Sequence, residues 1–147
     1  MLGGLSRWLR AMGYAATFDD RVEDGELVAR AARDGAVLLS SDAPLFERKR
    51  ITSGEVRALF VPRHAPVLDQ LCFVMRRFSL EVRDPLCMRC GGELREAPRD
   101  SVRDEAPPRT FASCDRFWRC AGCEKLFWHG THWRHIAETR ASMARSV

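Results

Sequence analysis

Two pairs of cysteines carry the plainest chemistry in the sequence. Each pair has the spacing C-x-x-C, as "CMRC" at residues 87–90 and "CAGC" at residues 120–123. Each can form a tight turn that points both sulfurs at one ion, and four thiolates complete the tetrahedral site that zinc prefers. Because such a site has no open position, its role would be structural. The expected Zn²⁺ ligands are Cys87, Cys90, Cys120 and Cys123. The alternative is a set of buried or redox-active cysteines.

A second group of residues is acidic. Asp42 follows the apolar residues of "VLLSS" (37–41), which predict a buried strand, and Asp24 and Glu26 begin the predicted helix before it. All three could meet at one sheet edge, because ligands bind where parallel strands end. Carboxylates gathered there would repel one another unless Mg²⁺ or Mn²⁺ joined them, and such an ion can orient a phosphodiester and activate water. The alternative for Asp24 and Asp42 is helix capping without a metal, since both precede predicted helices.

The elements that would position these acids alternate between helix and strand from residue 1 to about residue 83. Helical spacing of apolar residues begins with Leu5, Trp8 and Leu9. Strands are predicted at 14–18, 36–40 and 56–61, and helices at 24–35, after Pro44 and from Pro66. Asp24 is the expected N-cap of its helix and Gly35 its stop. Alternation of this kind predicts a parallel sheet covered by helices.

The composition changes near Pro85, from this alternation to a segment rich in Cys, Gly and Pro. We therefore expect an α/β domain at 1–83 and a zinc ribbon with a C-terminal tail at 84–147. Since ribbons usually fold on their metal, the two should be separable. The polar stretch 96–109 predicts an exposed loop, and a terminal helix is expected from about residue 132.

Charge and hydropathy limit the classes of partner. The net charge of +4 is compatible with nucleic acid, and no apolar run approaches the roughly 18 residues of a membrane span. Arg7 and Arg10 break up any apolar signal-peptide stretch, so a cytoplasmic protein is expected. "FWHGTHW" (127–133) predicts a packed turn or a stacking surface for bases. His129 and His132 within it could contact a metal, but four cysteines leave no vacancy.

The opening "MLGGLSRWLRAMGY" resembles the start of the Mut-seven C-terminal RNase domain family, a branch of the PIN-like nucleases. "DGELV", "VLLSSD", both C-x-x-C pairs and "FWHGTHW" follow in that family's order, so the resemblance covers nearly the whole chain. It implies a PIN-like α/β domain, a zinc ribbon, and metal-dependent cleavage of RNA by clustered acids. On this resemblance Asp24 and Asp42 match the acidic positions, Glu26 is a weaker match, and Arg7 and Arg10 would face phosphate.

The sequence departs from that family at its start. In PIN-like domains a first strand ending in an acid precedes the "MLG" segment, whereas here Met1 begins that segment directly. The expectation is a sheet without its first strand, in a chain truncated at its N-terminus or in an inactive relative. Three functions stay open. They are a Mg²⁺- or Mn²⁺-dependent ribonuclease, a non-catalytic RNA-binding protein, and an adaptor whose ribbon docks on a protein partner.

Overall fold

The computed structural model describes residues 2–146 as helices and short strands in two separate sheets. The helices are α1 (Gly3–Ala11), α2 (Asp24–Asp34), α3 (Lys49–Thr52), α4 (Val67–Arg77), α5 (Pro108–Ser113) and α6 (Thr131–Ser146). The strands are β1 (Leu38–Ser40), β2 (Ala58–Phe60), β3 (Leu94–Ala97), β4 (Phe117–Cys120) and β5 (Leu126–Trp128). Two 3₁₀ turns span Pro44–Glu47 and Arg99–Val102. No helix within residues 2–146 has the length and apolar character needed to cross a membrane.

The first sheet is a parallel pair, β1 with β2, in which Leu39 lies opposite Leu59. Parallel neighbours need a crossover connection, and here the first 3₁₀ turn and α3 supply it. Helix α2 covers the pair, because Val28 and Ala31 pack with Leu38 in one buried cluster. The mixed α/β class and the parallel pairing agree with the expectation.

The local signals for α2 are confirmed at its C-terminal end. The helix ends at Asp34, and Gly35 adopts the left-handed conformation with φ 60°, which a side chain would disfavour. At the other end the expectation is wrong. The N-cap is Glu23, and no side chain makes a capping hydrogen bond there.

The predicted strand at 14–18 is wrong, since these residues form neither helix nor strand. The Ala16 carbonyl accepts a hydrogen bond of 2.6 Å from Arg10 Nε, so it is not free for a strand ladder. Phe18 is 42% exposed, so this end of the segment has no covering layer. Among residues 2–146 the parallel sheet therefore has two strands.

The second sheet is antiparallel, in the order β3–β4–β5, and has its own core. Phe117 and Leu126 form its buried face together with Val102 and Ala106. The last two residues lie in the stretch 96–109, which the sequence predicts to be an exposed loop. That expectation is wrong for these two residues, because the second 3₁₀ turn and the chain after it cover the apolar face of the sheet.

Helix α6, predicted from about residue 132, returns to the first half of the chain. Its residues Ile136 and Met143 are buried in the same cluster as Leu5 of α1 and Leu71 of α4. The Arg140 guanidinium adds a direct link, because it donates to the carbonyls of Ala11 and Arg83. The main core therefore crosses the predicted boundary between residues 83 and 84.

Candidate functional site

The two C-x-x-C pairs converge on one point. The Sγ atoms of Cys87 and Cys123 are 3.7 Å apart, those of Cys90 and Cys120 are 3.4 Å apart, and all four sulfurs lie within 4.8 Å of one another. Four sulfurs around one ion at about 2.3 Å would be separated by roughly 3.8 Å. The arrangement therefore fits a tetrahedral site, and these four cysteines could hold one metal ion.

Backbone turns hold the sulfurs in place. The Gly91 N–H donates to the Cys87 carbonyl at 2.7 Å, which closes the first turn. The Gly92 N–H points at Cys90 Sγ at 3.4 Å, and the Gly122 N–H points at Cys120 Sγ at 3.3 Å. Such donors favour the negatively charged thiolate, which is the form that binds a metal.

The environment of Cys87 disfavours a free thiolate. Its side chain is fully buried, and burial raises the pKa of this thiol to about 12. Without an ion the thiol stays protonated at neutral pH, so metal binding must release that proton. Gly92 packs closely against the site, because a Cβ there would lie 2.8 Å from Cys120 Sγ.

The three predicted acids lie on the surface, with different partners. The Asp24 carboxylate is 3.5 Å from the Arg48 guanidinium, and Glu26 accepts a 2.9 Å bond from Arg30. Asp42 is exposed, and its own N–H donates to Ser40 Oγ at 3.0 Å. Across residues 2–146, the cysteine cluster is the only group of three or more side chains close enough to share an ion. The structure does not bring the three acids into such a group.

Helix capping does not account for Asp42 either. The 3₁₀ turn after β1 begins at Pro44 with Ala43 as its N-cap, and no side chain makes a capping hydrogen bond. Asp24 is likewise no cap, since Glu23 holds that position in α2. Capping therefore explains neither carboxylate, although that of Asp24 has an ion-pair partner in Arg48.

The two predicted phosphate-binding arginines differ in their exposure to solvent. Arg7 is exposed on α1. Arg10 is only 9% exposed, and its guanidinium donates to the carbonyls of Ala16, Met88 and Arg89 at 2.6, 3.0 and 2.9 Å. Arg10 therefore ties α1 to the first cysteine turn, instead of facing phosphate as expected.

The segment 127–133 forms a stack of rings. The His129 ring centroid is 4.3 Å from that of Trp118 and 5.0 Å from that of Trp133, with interplanar angles of 27° and 13°, and the two indole centroids are 6.3 Å apart. The Arg116 guanidinium lies 5.1 Å from the Trp118 ring. Burial, together with the positive charge of Arg116, lowers the pKa of His129. The segment thus joins β5 to α6 through ring contacts, and His129 is not among the clustered metal-binding groups.

A cleft of about 710 Å³ lies between α1, the first cysteine turn, β5 and the start of α6. Arg7, Arg89, Lys125 and Trp133 are among its lining residues. Of these, the sequence pointed only to Arg7 and to the segment that holds Trp133. Arg89 and Lys125 went unnoticed because nothing local connects segments that are dozens of residues apart.

A comparison with known protein families supports the family resemblance seen in the sequence. The model of the family described as the Mut7-C RNAse domain matches residues 1–140, nearly the whole chain. Searches of curated proteins and of solved structures found no match.

Proposed function

The chain belongs to the Mut7-C RNAse domain family, and from that premise we propose that it is a metal-dependent ribonuclease with a PIN-like α/β unit. Asp24 and Asp42 are the proposed ligands of Mg²⁺ or Mn²⁺, with Glu26 assisting. When bound, such an ion supplies the positive charge that orients a phosphodiester and promotes attack by water.

The observation that carries this proposal is the position of Asp42. It lies two residues beyond the C-terminal end of β1, exposed, and within residues 2–146 its carboxylate takes part in no ion pair. Ligands of parallel sheets bind at this edge. A carboxylate there with no structural partner is a suitable ligand for a hard cation.

Asp24 can contribute from the neighbouring element. Asp42 lies just before the 3₁₀ turn, and Arg48 directly follows it. The contact between Asp24 and Arg48 therefore places the start of α2 beside that turn. Both side chains of the pair are more than two-fifths exposed. An exposed ion pair contributes only about 0–1 kcal/mol, so a divalent ion can displace Arg48 at little cost.

The four-cysteine site has a different proposed role. Its ligand set is closed, and its sulfurs join two turns that are separated in the sequence by 29 intervening residues. We propose that it binds Zn²⁺ and stabilises the ribbon without taking part in chemistry.

The test is the substitution Asp42→Asn, which keeps the shape of the side chain and removes its charge. We expect Mn²⁺ affinity and Mn²⁺-dependent cleavage of labelled RNA to fall by at least about tenfold. Asp34→Asn is the matched control, because Asp34 is an exposed acid at the far end of α2. Unchanged cleavage by the Asp42 variant would rule out the metal role.

A second candidate is RNA binding without cleavage. It is favoured by the finding that Asp24, Glu26 and Asp42 do not form a three-ligand group. On this alternative the unaltered chain binds RNA but cleaves none with Mn²⁺, and its affinity survives loss of both aspartates. A chain with no RNA affinity even at low salt would instead point to a protein adaptor.

A further inference from the structure

We propose that the cleft between α1 and the ribbon binds a single-stranded segment of RNA. Phosphates would lie along its basic rim, and bases would stack on its aromatic wall. This inference rests on the proposed action on RNA and adds the form of RNA that is recognised and the surface that recognises it.

The first argument is charge. Arg7, Arg89 and Lys125 line the cleft and are all exposed, and no Asp or Glu is among its lining residues in the part of the chain described. None of these three cations forms an ion pair within residues 2–146, whereas surface arginines elsewhere do, such as Arg95 with Glu93. Unneutralised positive charge around a concave site favours an anionic ligand, and for nucleic acid the anions are phosphates.

The second argument is the aromatic wall. Trp8, Phe127, Trp128 and Trp133 all line the cleft, and all are half-buried. Lys125 Nζ lies 5.5 Å from the centroid of the Phe127 ring, so a cation and a stacking surface are adjacent. Basic groups interleaved with aromatic rings are the combination that binds single strands, because every base has a face that can stack.

The wall is also held in place. Trp133 is stacked on His129, and Trp8 makes an edge-on contact with the ring of His135, with the centroids 6.2 Å apart. Gly130 lets the chain turn close to Trp128, since a Cβ there would lie 3.0 Å from the indole Nε1. Rings that are already ordered lose little conformational freedom when a base binds.

Size limits the ligand to unpaired nucleotides. The volume of about 710 Å³ lies within the roughly 300–1,000 Å³ of small-ligand sites. A duplex cannot enter such a cleft, and its bases would be stacked on one another rather than on protein. An acidic peptide could satisfy the cations but would leave the aromatic wall without planar partners.

The test measures binding of a short labelled oligouridine by fluorescence anisotropy, in buffer without added Mg²⁺ or Mn²⁺ so that cleavage does not interfere. The cleft variant combines Arg7→Ala, Arg89→Ala and Lys125→Ala. The control variant removes the same charge elsewhere, by Arg57→Ala, Arg109→Ala and Arg145→Ala, which are all exposed and outside the cleft. Circular dichroism checks that both variants are folded.

We expect the cleft variant to bind roughly tenfold or more weakly at low salt, and the control variant to bind nearly as well as the unaltered chain. The slope of log affinity against log salt should fall by about 2 in the cleft variant, since each phosphate contact to a single strand contributes about 0.7. Equal losses in the two variants would show that net charge alone attracts the RNA, and would overturn the inference.

Intrinsic fluorescence provides a second readout, because three of the four tryptophans line the cleft. Oligouridine should quench it, and an abasic strand of the same length should quench it much less. Equal quenching by the abasic strand, or tighter binding of duplex RNA, would also overturn the inference.

The outcomes separate this inference from the proposed function. If the unaltered chain cleaves RNA and the cleft variant binds as well as the unaltered chain, the cleft inference fails while the ribonuclease proposal stands. If oligouridine binds through the cleft but no cleavage follows with Mn²⁺, the ribonuclease proposal fails while the cleft inference stands. If no RNA binds at low salt, both fail.

Discussion

At the scale of single residues, the lack of a side chain at Gly92 leaves room for the four sulfurs of the proposed zinc site. An added Cβ at Gly92 would lie 2.8 Å from Cys120 Sγ and 3.2 Å from the Gly122 nitrogen, closer than ordinary contact allows. Since the sulfurs must stay near tetrahedral separation, they cannot move away freely. We expect Gly92→Ala to weaken zinc binding, measured as faster loss of zinc to a chelator.

Gly122→Ala is the matched control for that prediction. Gly122 lies between the two cysteines of the second pair, but a Cβ there would come no closer than 3.5 Å to a sulfur, which is ordinary contact. We expect this variant to keep its zinc nearly as well as the unaltered chain. Equal zinc loss from the two variants would show that Gly92 does not limit the size of the site.

Arg10 supplies a second prediction at this scale. Its buried guanidinium serves three carbonyls, two of them in the first cysteine turn. Arg10→Leu would leave these acceptors without their donor, so we expect the free energy of unfolding to fall by about 2–4 kcal/mol. Urea denaturation measures this change in the free energy of unfolding. Arg7→Leu, on the exposed face of the same helix, should change stability by less than about 0.5 kcal/mol.

At the scale of elements, the sequence correctly predicted those features that depend on neighbouring residues alone. Gly35 ends α2 as predicted because its left-handed conformation is a local property, and the cysteine spacing is equally local. The failed strand at 14–18 had the right composition. Its Ala16 carbonyl instead accepts from Arg10, whose guanidinium also donates to carbonyls nearly eighty residues away, which no local pattern reveals. The basic cleft was missed for the same reason, since its rim is assembled from separate segments.

The ribbon gives a prediction at the scale of elements. Its three strands enclose their own buried cluster around Phe117, whereas α6 packs on α1 and α4. A fragment of residues 84–130 should therefore fold when zinc is added, because metal binding supplies folding free energy. Circular dichroism and amide dispersion in NMR spectra with and without zinc measure this.

A longer fragment provides the comparison. Residues 84–147 include α6, whose Ile136 and Met143 would have no partners once α1 and α4 are removed. We expect this fragment to fold its ribbon with zinc but to leave α6 frayed or self-associating. A fragment 84–130 that stays disordered with excess zinc would show that the ribbon depends on the α/β unit.

At the scale of the whole molecule, we expect the four-cysteine site and the cleft to be coupled. Met88 and Arg89 lie between the first two cysteine ligands, and both line the cleft. Loss of the ion should loosen this turn and with it part of the proposed RNA surface. We expect Cys120→Ala to reduce zinc from about one per chain to near zero and to weaken oligouridine binding, measured by metal analysis and anisotropy.

Cys72→Ala is the control for that coupling. Cys72 is a half-buried residue of α4, outside the cysteine cluster and outside the cleft. We expect the Cys72→Ala variant to keep its zinc and its affinity for oligouridine. Full RNA affinity in a zinc-free Cys120 variant would show that the cleft does not depend on the metal.

The return of α6 to the first core also has a consequence for biosynthesis. Arg140 reaches the carbonyl of Ala11, a contact across 129 positions, and Met143 completes the cluster that begins at Leu5. On the ribosome, α1 and α4 emerge before α6 and cannot close their core until α6 has followed them. Contacts of such long sequence separation form slowly. The nascent chain would thus expose the apolar face of α1 until α6 is made, and this face is where a chaperone would bind.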